Sequence, residues 1–544
     1  MKPPCSAHMS FVTIDNVGLP CVVEPNPERL FKAAEKANIE ILEAELNAGV
    51  PADYCVHGLP LIHVAARAGH NEIIQVLIRH DANVNALDQS GASALQSAAS
   101  YAKAETVRLL IQQYHAITAT RDSSGSTPLI SAVRADSNED DVFATTKTLL
   151  DHESQVSSQD NEGLTALHWA AARPGRAATV RLLLERGADP AIKSSRNSEY
   201  GEEPPIFFAV RSEDLDVCKA FLDHGADTTW RNEYEETPLH TAAYLGNLDM
   251  LQLLINAGVD PTAKSRNSNT ALHRAAEGGQ DRCVQLLLSL GLGVDGINKF
   301  GWTPLMFAVA NNSQSTAEQL IKAGADVNMA ATDGWTSVHL AADYQDMDCR
   351  GPGVLADNDP SLIELLLNNG ANAMARTRLA RRSSVGDSGE SLMEHLYGQK
   401  HDETRHKKVN AGQTPLHRAA LRGSVVKASI LIEHRAEVNC IDSVGVSPLH
   451  LAISTESIDM LELLLKSGAR VNAQNEEGTT ALHLVYDSNS LIGMAWDEQA
   501  WNEGPWPEGL SILRSFGVDE TIVDRQGETG IQKWQRRGRE LRDV

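Results

Sequence analysis

The sequence reads as an all-α repeat solenoid, and three observations lead there. A Thr-Pro-Leu-His-like tetrad recurs thirteen times along the 544 residues. Its spacing is constant for long stretches: Thr237, Thr270, Thr303 and Thr336 follow in steps of 33, as do Thr414, Ser447 and Thr480. Each tetrad opens a short Ala-rich run, and a Leu-rich run follows it. A fixed period of this length marks a supersecondary unit that buries its apolar face only against its neighbours.

Residues 236 to 263 show how one unit is written. Thr237 suits a helix N-cap, and Pro238 suits the first helical position. Leu239, Ala242 and Ala243 give a small-residue apolar face that lets a neighbouring helix approach closely. Gly246 ends this first helix by taking a backbone shape that other residues resist. A second helix over 248–255 carries Leu251, Leu254 and Ile255 at helical spacing. Residues 257–260 stop it, and the polar stretch 261–269 predicts a projecting hairpin. Three units depart from the pattern: Ile206 follows Pro204-Pro205, Met306 replaces the His, and Ser337-Val338 replaces Pro-Leu. Arg29 to Glu35 with Ile39 to Leu46 reads as a degenerate first unit. Thr529-Gly530-Ile531 with Trp534 reads as the last.

The tetrad, the Gly and the Leu-rich second helix together resemble the ankyrin repeat family over roughly residues 27 to 538. The resemblance implies a helix-turn-helix-hairpin stack of about 13–14 units with loop insertions. It also implies partner contact through the variable hairpin positions. On this division, 1–26 is an N-terminal extension, and 27–375 is the first part of the array. Segment 376–411 is a basic, Ser-containing insertion. Residues 412–538 form the second part of the array, with a Trp-rich insertion at 487–507, and 539–544 is a tail. The interruptions at 134–141, 343–359 and 487–507 fall between the two helices of a unit. Those at 193–203 and 376–410 fall on the hairpin side. Insertions in such arrays become loops, often on binding faces.

Composition limits the function classes. The net charge is −24, so nucleic acid is not an expected partner, because phosphate is repelled by such a surface. A protein partner with a basic segment is expected instead. The seven Cys are odd in number and lack CxxC spacing, so they read as free thiols of a reducing compartment. No apolar run approaches the ~18 residues that span a bilayer. The N-terminal residues carry no long apolar stretch of a secretory signal. A cytoplasmic protein is expected, as a monomer or within a hetero-complex. The cluster Lys533, Arg536, Arg537, Arg539 and Arg542 reads as the polar face of a capping helix, with nuclear import as the alternative.

Aromatic residues are scarce, at 5%, yet several fall on the hairpins. Tyr234 and Phe300 hold equivalent positions two units apart, Trp302 and Trp335 hold equivalent positions one unit apart, and Trp230 lies beside them. They are the candidate partner-binding side chains, since Trp and Tyr anchors carry much interface energy. The alternative is that they pack against neighbouring hairpins. Trp496, Trp501 and Trp506 form a second, acidic-aromatic patch suited to a basic peptide or to covering the end of the stack. Within the basic insertion, Arg381-Arg382-Ser383-Ser384 resembles a site for basophilic kinases. Phosphate on Ser383 or Ser384 would cancel local positive charge.

Eight His (63, 168, 240, 273, 339, 417, 450 and 483) occupy the tetrad. Their periodicity predicts a structural hydrogen-bonding ladder rather than a metal cluster. His395, His401 and His406 share the long insertion, but their spacing does not match a helical metal pair. Phosphate-binding, nucleophile-elbow and zinc-finger patterns are absent. No cofactor is expected, and a non-catalytic interaction scaffold is the leading reading. The alternative is an enzyme, or an enzyme subunit, using Asp487, Asp497 and Glu498 near His483 as acid and base.

Overall fold

Small apolar faces repeated at a fixed period can be buried only by stacking, and this is what the chain does. The computed structural model describes residues 11–14, 20–23, 27–344 (save 153, 198–200 and 228), 359–378, 411–486 and 506–540. Among them are 27 helices, arranged as fourteen repeats. The first helices, numbered by repeat, are Pro27–Glu35, Leu61–Ala68, Ala94–Ser100, Pro128–Val133, Ala166–Ala171, Pro205–Arg211, Pro238–Leu245, Ala271–Glu277, Pro304–Ala310, Ser337–Asp343, Pro415–Arg422, Pro448–Ser454, Ala481–Val485 and Gly530–Glu540. A second helix follows in each of the first thirteen. Two short antiparallel pairs complete the described elements: β1 (Phe11–Ile14) with β2 (Pro20–Val23), and β3 (Cys55–Val56) with β4 (Leu59–Pro60).

Met1–Ala242 with Asn247–Asp260 forms one compact block, and Ala243–Gly246 with Pro261–Val544 forms the other. Within each block, first helices pack on first helices and second helices on second helices. The tetrad Leu supplies the core. Ile62 (in the Leu position), Leu95, Leu129 and Leu167 are buried in the N-terminal block, and Leu272, Leu305, Leu416, Leu449 and Leu482 in the C-terminal block. Full burial of such a side chain contributes about 1.5–3 kcal/mol. Ala65, Ala66, Ala98 and Ala99 are wholly buried between them, which keeps the helices close.

The interruptions leave the stack in register. That at 134–141 is shorter than expected, because Glu139–Leu150 is a twelve-residue helix that absorbs its end. Asn138 caps this helix, accepting from the Asp141 backbone N–H at 2.9 Å. On either side of 379–410 the hairpin closes on itself. The Thr377 N–H donates to the Gln413 carbonyl at 2.9 Å, and the Gly412 N–H donates to the Thr377 carbonyl at 2.8 Å. The first helix of repeat 10 packs directly on that of repeat 11. Joining 378 to 411 by a short Gly-Asn turn should therefore leave the thermal midpoint within about 3 °C. A fall of more than about 10 °C in a circular dichroism melt would show that the segment carries packing energy.

Candidate partner-binding faces

The tetrad His is committed to structure. In repeats 5, 10, 11 and 12 the Nδ1 atom of His168, His339, His417 and His450 accepts from the backbone N–H of Thr165, Thr336, Thr414 and Ser447 at 3.0–3.3 Å. A backbone N–H only donates, so Nδ1 carries no proton. The proton is on Nε2, which donates to the carbonyl of Glu203, Gln413, Val446 and Thr479 in the following hairpin at 3.0–3.2 Å. Each ring thus caps its own helix and pins the next repeat. His63, His273 and His483 reach the carbonyls of Ala86, Trp302 and Glu528 in the same way. Burial pushes His168, His339 and His450 down to about 4 and His417 to about 3. Gln96 takes the place of the His in repeat 3, where its Nε2 donates to the Ser126 carbonyl at 2.7 Å.

A second ladder runs along the ends of the second helices. Asn85 accepts from the Ile117 N–H, Asn328 from Asn372, Asn439 from Arg470 and Asn472 from Asp519, at 2.8–3.0 Å. Between the two ladders several hairpins are closed by one side-chain acceptor. The side-chain oxygens of Asp88, Asn298, Asp442 and Asp524 each accept two backbone N–H groups of their own turn.

This framework separates the candidate aromatics. Tyr234 is 56% exposed, and Trp230 and Phe300 are partly exposed. Trp302 and Trp335 are 3% and 6% exposed and are interior residues, so the expectation that they meet a partner is corrected. Trp302 packs edge-on to Phe307, with ring centres 5.3 Å apart, and Trp335 lies against His339 and under Arg418. The physical reason is the hairpin root. Gly301 has φ +78°, and an added Cβ would sit 2.9 Å from the Thr332 nitrogen, so the chain turns inward immediately before each Trp. Trp506 is also buried and covers Gly509 at the start of the helix Pro507–Ser515, so it is not an open contact. Trp496, Trp501, Ser383, Ser384, His395, His401 and His406 lie outside the described residues, as do Asp487, Asp497 and Glu498. His483 has both ring nitrogens engaged with Thr480 and Glu528. Among the described residues no three His, Cys, Asp or Glu side chains converge as metal ligands, and no helix is long and apolar enough to cross a membrane.

Arg–aromatic stacks link neighbouring first helices. Arg67 lies 4.7 Å from the Tyr101 ring centre, Arg134 lies 4.2 Å from that of Trp169, and Arg274 lies 4.7 Å from that of Tyr244. At the joint between repeats 10 and 11, Asp343 is fully buried. It accepts from Arg418 Nε at 2.8 Å and from Arg422 Nε and Nη2 at 2.9 and 3.0 Å.

A family model described as ankyrin repeats (three copies) matches residues 30–120, 115–194, 206–299, 272–377 and 354–475. The chain belongs to the ankyrin repeat family. Neurogenic locus notch homolog protein 1 of Homo sapiens is 31% identical over 152 residues, which is 28% of this chain and 6% of that protein. The nuclear factor NF-kappa-B p105 subunit of Gallus gallus is 33% identical over 159 residues, 28% of this chain and 16% of that protein. The likeness thus spans a small part of each relative's length. Ankyrin repeats are in general protein-interaction modules.

The ankyrin period also locates residues that hairpin reasoning missed. Arg134 and Tyr244 each stand four residues after the fourth residue of their tetrad, while Trp169 and Arg274 stand one residue after it. Neighbouring first helices bring the two positions together. An Arg in one column with an aromatic in the other, one period on, was the available signal.

Proposed function

We propose that this ankyrin repeat protein is a non-catalytic scaffold that binds a partner protein through its hairpin tips and first helices. One observation carries the reading. Leu87, Ile297, Ile441 and Val523 each immediately precede the hairpin-closing Asp or Asn, and each is 45–55% exposed. Single exposed apolar side chains are ordinary on any surface. The same hairpin position is left apolar and open three times within the C-terminal block, at Ile297, Ile441 and Val523, and once in the N-terminal block, at Leu87, and a recurring apolar hairpin position suits an extended partner contact. Tyr234 adds an exposed aromatic on the same kind of turn. The engaged His483 removes one member of the acid–base group in the enzyme alternative.

A photo-crosslinking residue at Leu87 or Ile441 of the full chain should give discrete protein adducts in cells. The same residue at the second-helix positions Glu72 and Lys466 should give none of them. Identical adducts from both faces would overturn the assignment of the hairpin face.

A further inference from the structure

The first helices of repeats 2 to 5 lie side by side in the N-terminal block. Arg67 stands near the end of Leu61–Ala68, and Arg134 stands just past Pro128–Val133; both are exposed. The Arg67 guanidinium lies against the Tyr101 ring and donates to its hydroxyl. That of Arg134 covers Trp169 and donates to the Ser126 hydroxyl at 3.4 Å. Nearby, Arg121 donates to the carbonyls of Gly125 and Gln159. Among the described residues, none of these three forms an ion pair with a carboxylate. Arg211, two repeats beyond Arg134, is by contrast already paired with buried Glu203.

An Arg held flat on a ring keeps its charge and its remaining N–H donors while losing conformational freedom. It is therefore prepared for two-point pairing with a carboxylate. We propose that the first-helix face of repeats 2 to 5 receives an extended acidic peptide, with carboxylates pairing with Arg67 and Arg134. This rests on the protein-binding reading above and names the partner's chemistry. Packed helices sit about 8–10 Å apart, so these two arginines, two repeats apart, are separated by roughly 20 Å. An extended chain advances about 3.3 Å per residue, so the matching acids are about six residues apart.

The sign is opposite to that expected from the whole chain. The −24 net charge predicts a basic partner. In these repeats, however, Asp88, Asp122 and Asp160 are engaged in closing their own hairpins, each accepting backbone N–H groups of its turn. Glu72, Glu105, Glu139, Asp140 and Asp141 begin the second helices. That placement also favours a peptide over nucleic acid. A short acidic segment can confine its charge to the arginines, while a continuous polyanion would meet the second-helix carboxylates as well.

The test uses the full chain and labelled fourteen-residue peptides of Gly, Ser and Tyr bearing two Glu-Glu pairs six residues apart. Gln-Gln and Lys-Lys versions and a single-stranded oligonucleotide of equal charge serve as comparisons. Fluorescence anisotropy at ~50 mM salt should show the Glu peptide binding about tenfold tighter than the Gln peptide. The R67E/R134E variant should lose that gain, and R67Q/R134Q should lose part of it with a melting midpoint lowered by no more than about 5 °C. Failure of the Glu peptide to bind, tighter binding of the Lys peptide, or an R67Q/R134Q variant that binds Glu peptide normally would each overturn the proposal. Oligonucleotide binding that matches the Glu peptide and is lost in the same variants would overturn it in favour of nucleic acid. Persistence of the Leu87 adducts alongside any of these results would sink only the acidic partner. Loss of the adducts as well would sink the protein-binding reading too.

Discussion

Lowering the pH from 7 to 5 should strip about 8 kcal/mol from the stack through four histidines alone. His168, His339, His417 and His450 are neutral and buried, with Nδ1 already facing a backbone N–H. A second ring proton would face that N–H with no acceptor. Burial therefore holds their folded values at about 4, 4, 3 and 4, well below the ordinary 6.5. The sign follows directly. Between these values and 6.5 the unfolded chain binds protons that the folded chain refuses. The stabilisation is complete above about pH 6.5 and is lost as pH falls toward about 4. Each His gives up about 2 kcal/mol by pH 5. Typical domains hold only about 5–15 kcal/mol, so the loss should lower the thermal midpoint steeply. The protein supplies its own control, since Gln96 performs the same bridging without a titrating group. Replacing the four His by Gln should flatten the dependence. A midpoint that is constant from pH 7 to 5, or a Gln variant equally sensitive to acid, would refute this account.

Asp343→Ala should cost about 3–5 kcal/mol and weaken the C-terminal block where repeats 10 and 11 meet. Burial pushes the Asp343 carboxyl up, but Arg418 and Arg422 outweigh it and hold the group below the usual carboxylate range. Removing the carboxylate leaves the buried Arg418 charge without its counter-ion. Arg418 would retain only a 3.2 Å bond to Gln413 and the face of Trp335. The double change D343L/R418M removes both charges and should recover most of the loss, since well-packed apolar replacements of buried pairs are often neutral. Urea melts of the three proteins measure this. An Asp343→Ala loss below about 1 kcal/mol would show that water reaches the joint and screens it. The two effects separate in pH, because a depressed carboxylate still contributes fully at pH 5, where the histidines have already failed.

Much of this was legible in the tetrads, because cap, first helix, Gly and second helix are all local signals. Pro238 and Leu239 begin a helix that ends at Gly246, where the backbone is left-handed at φ +80°. The His ladder was legible as periodicity. Its tautomer was not, because that depends on a carbonyl in the next repeat. Trp302 and Trp335 were misjudged because a residue beside a turn reads as exposed until the direction of the turn is known. Asp343 and Arg418 could not be paired from the sequence, since 75 residues and an insertion separate them. The pairing of Arg134 with Trp169 needed only the period and one further rule, that a residue late in one first helix touches an early one in the next.

The bridging rings are unevenly distributed along the chain. His339, His417 and His450 occupy three adjoining repeats, whereas His63 and His168 are separated by Gln96 and by Ile130. Mild acid would therefore not soften the protein everywhere at once. It would loosen repeats 10 to 12 first, within the C-terminal block, while the Arg67–Trp169 face keeps one rung, Gln96, that no proton can remove.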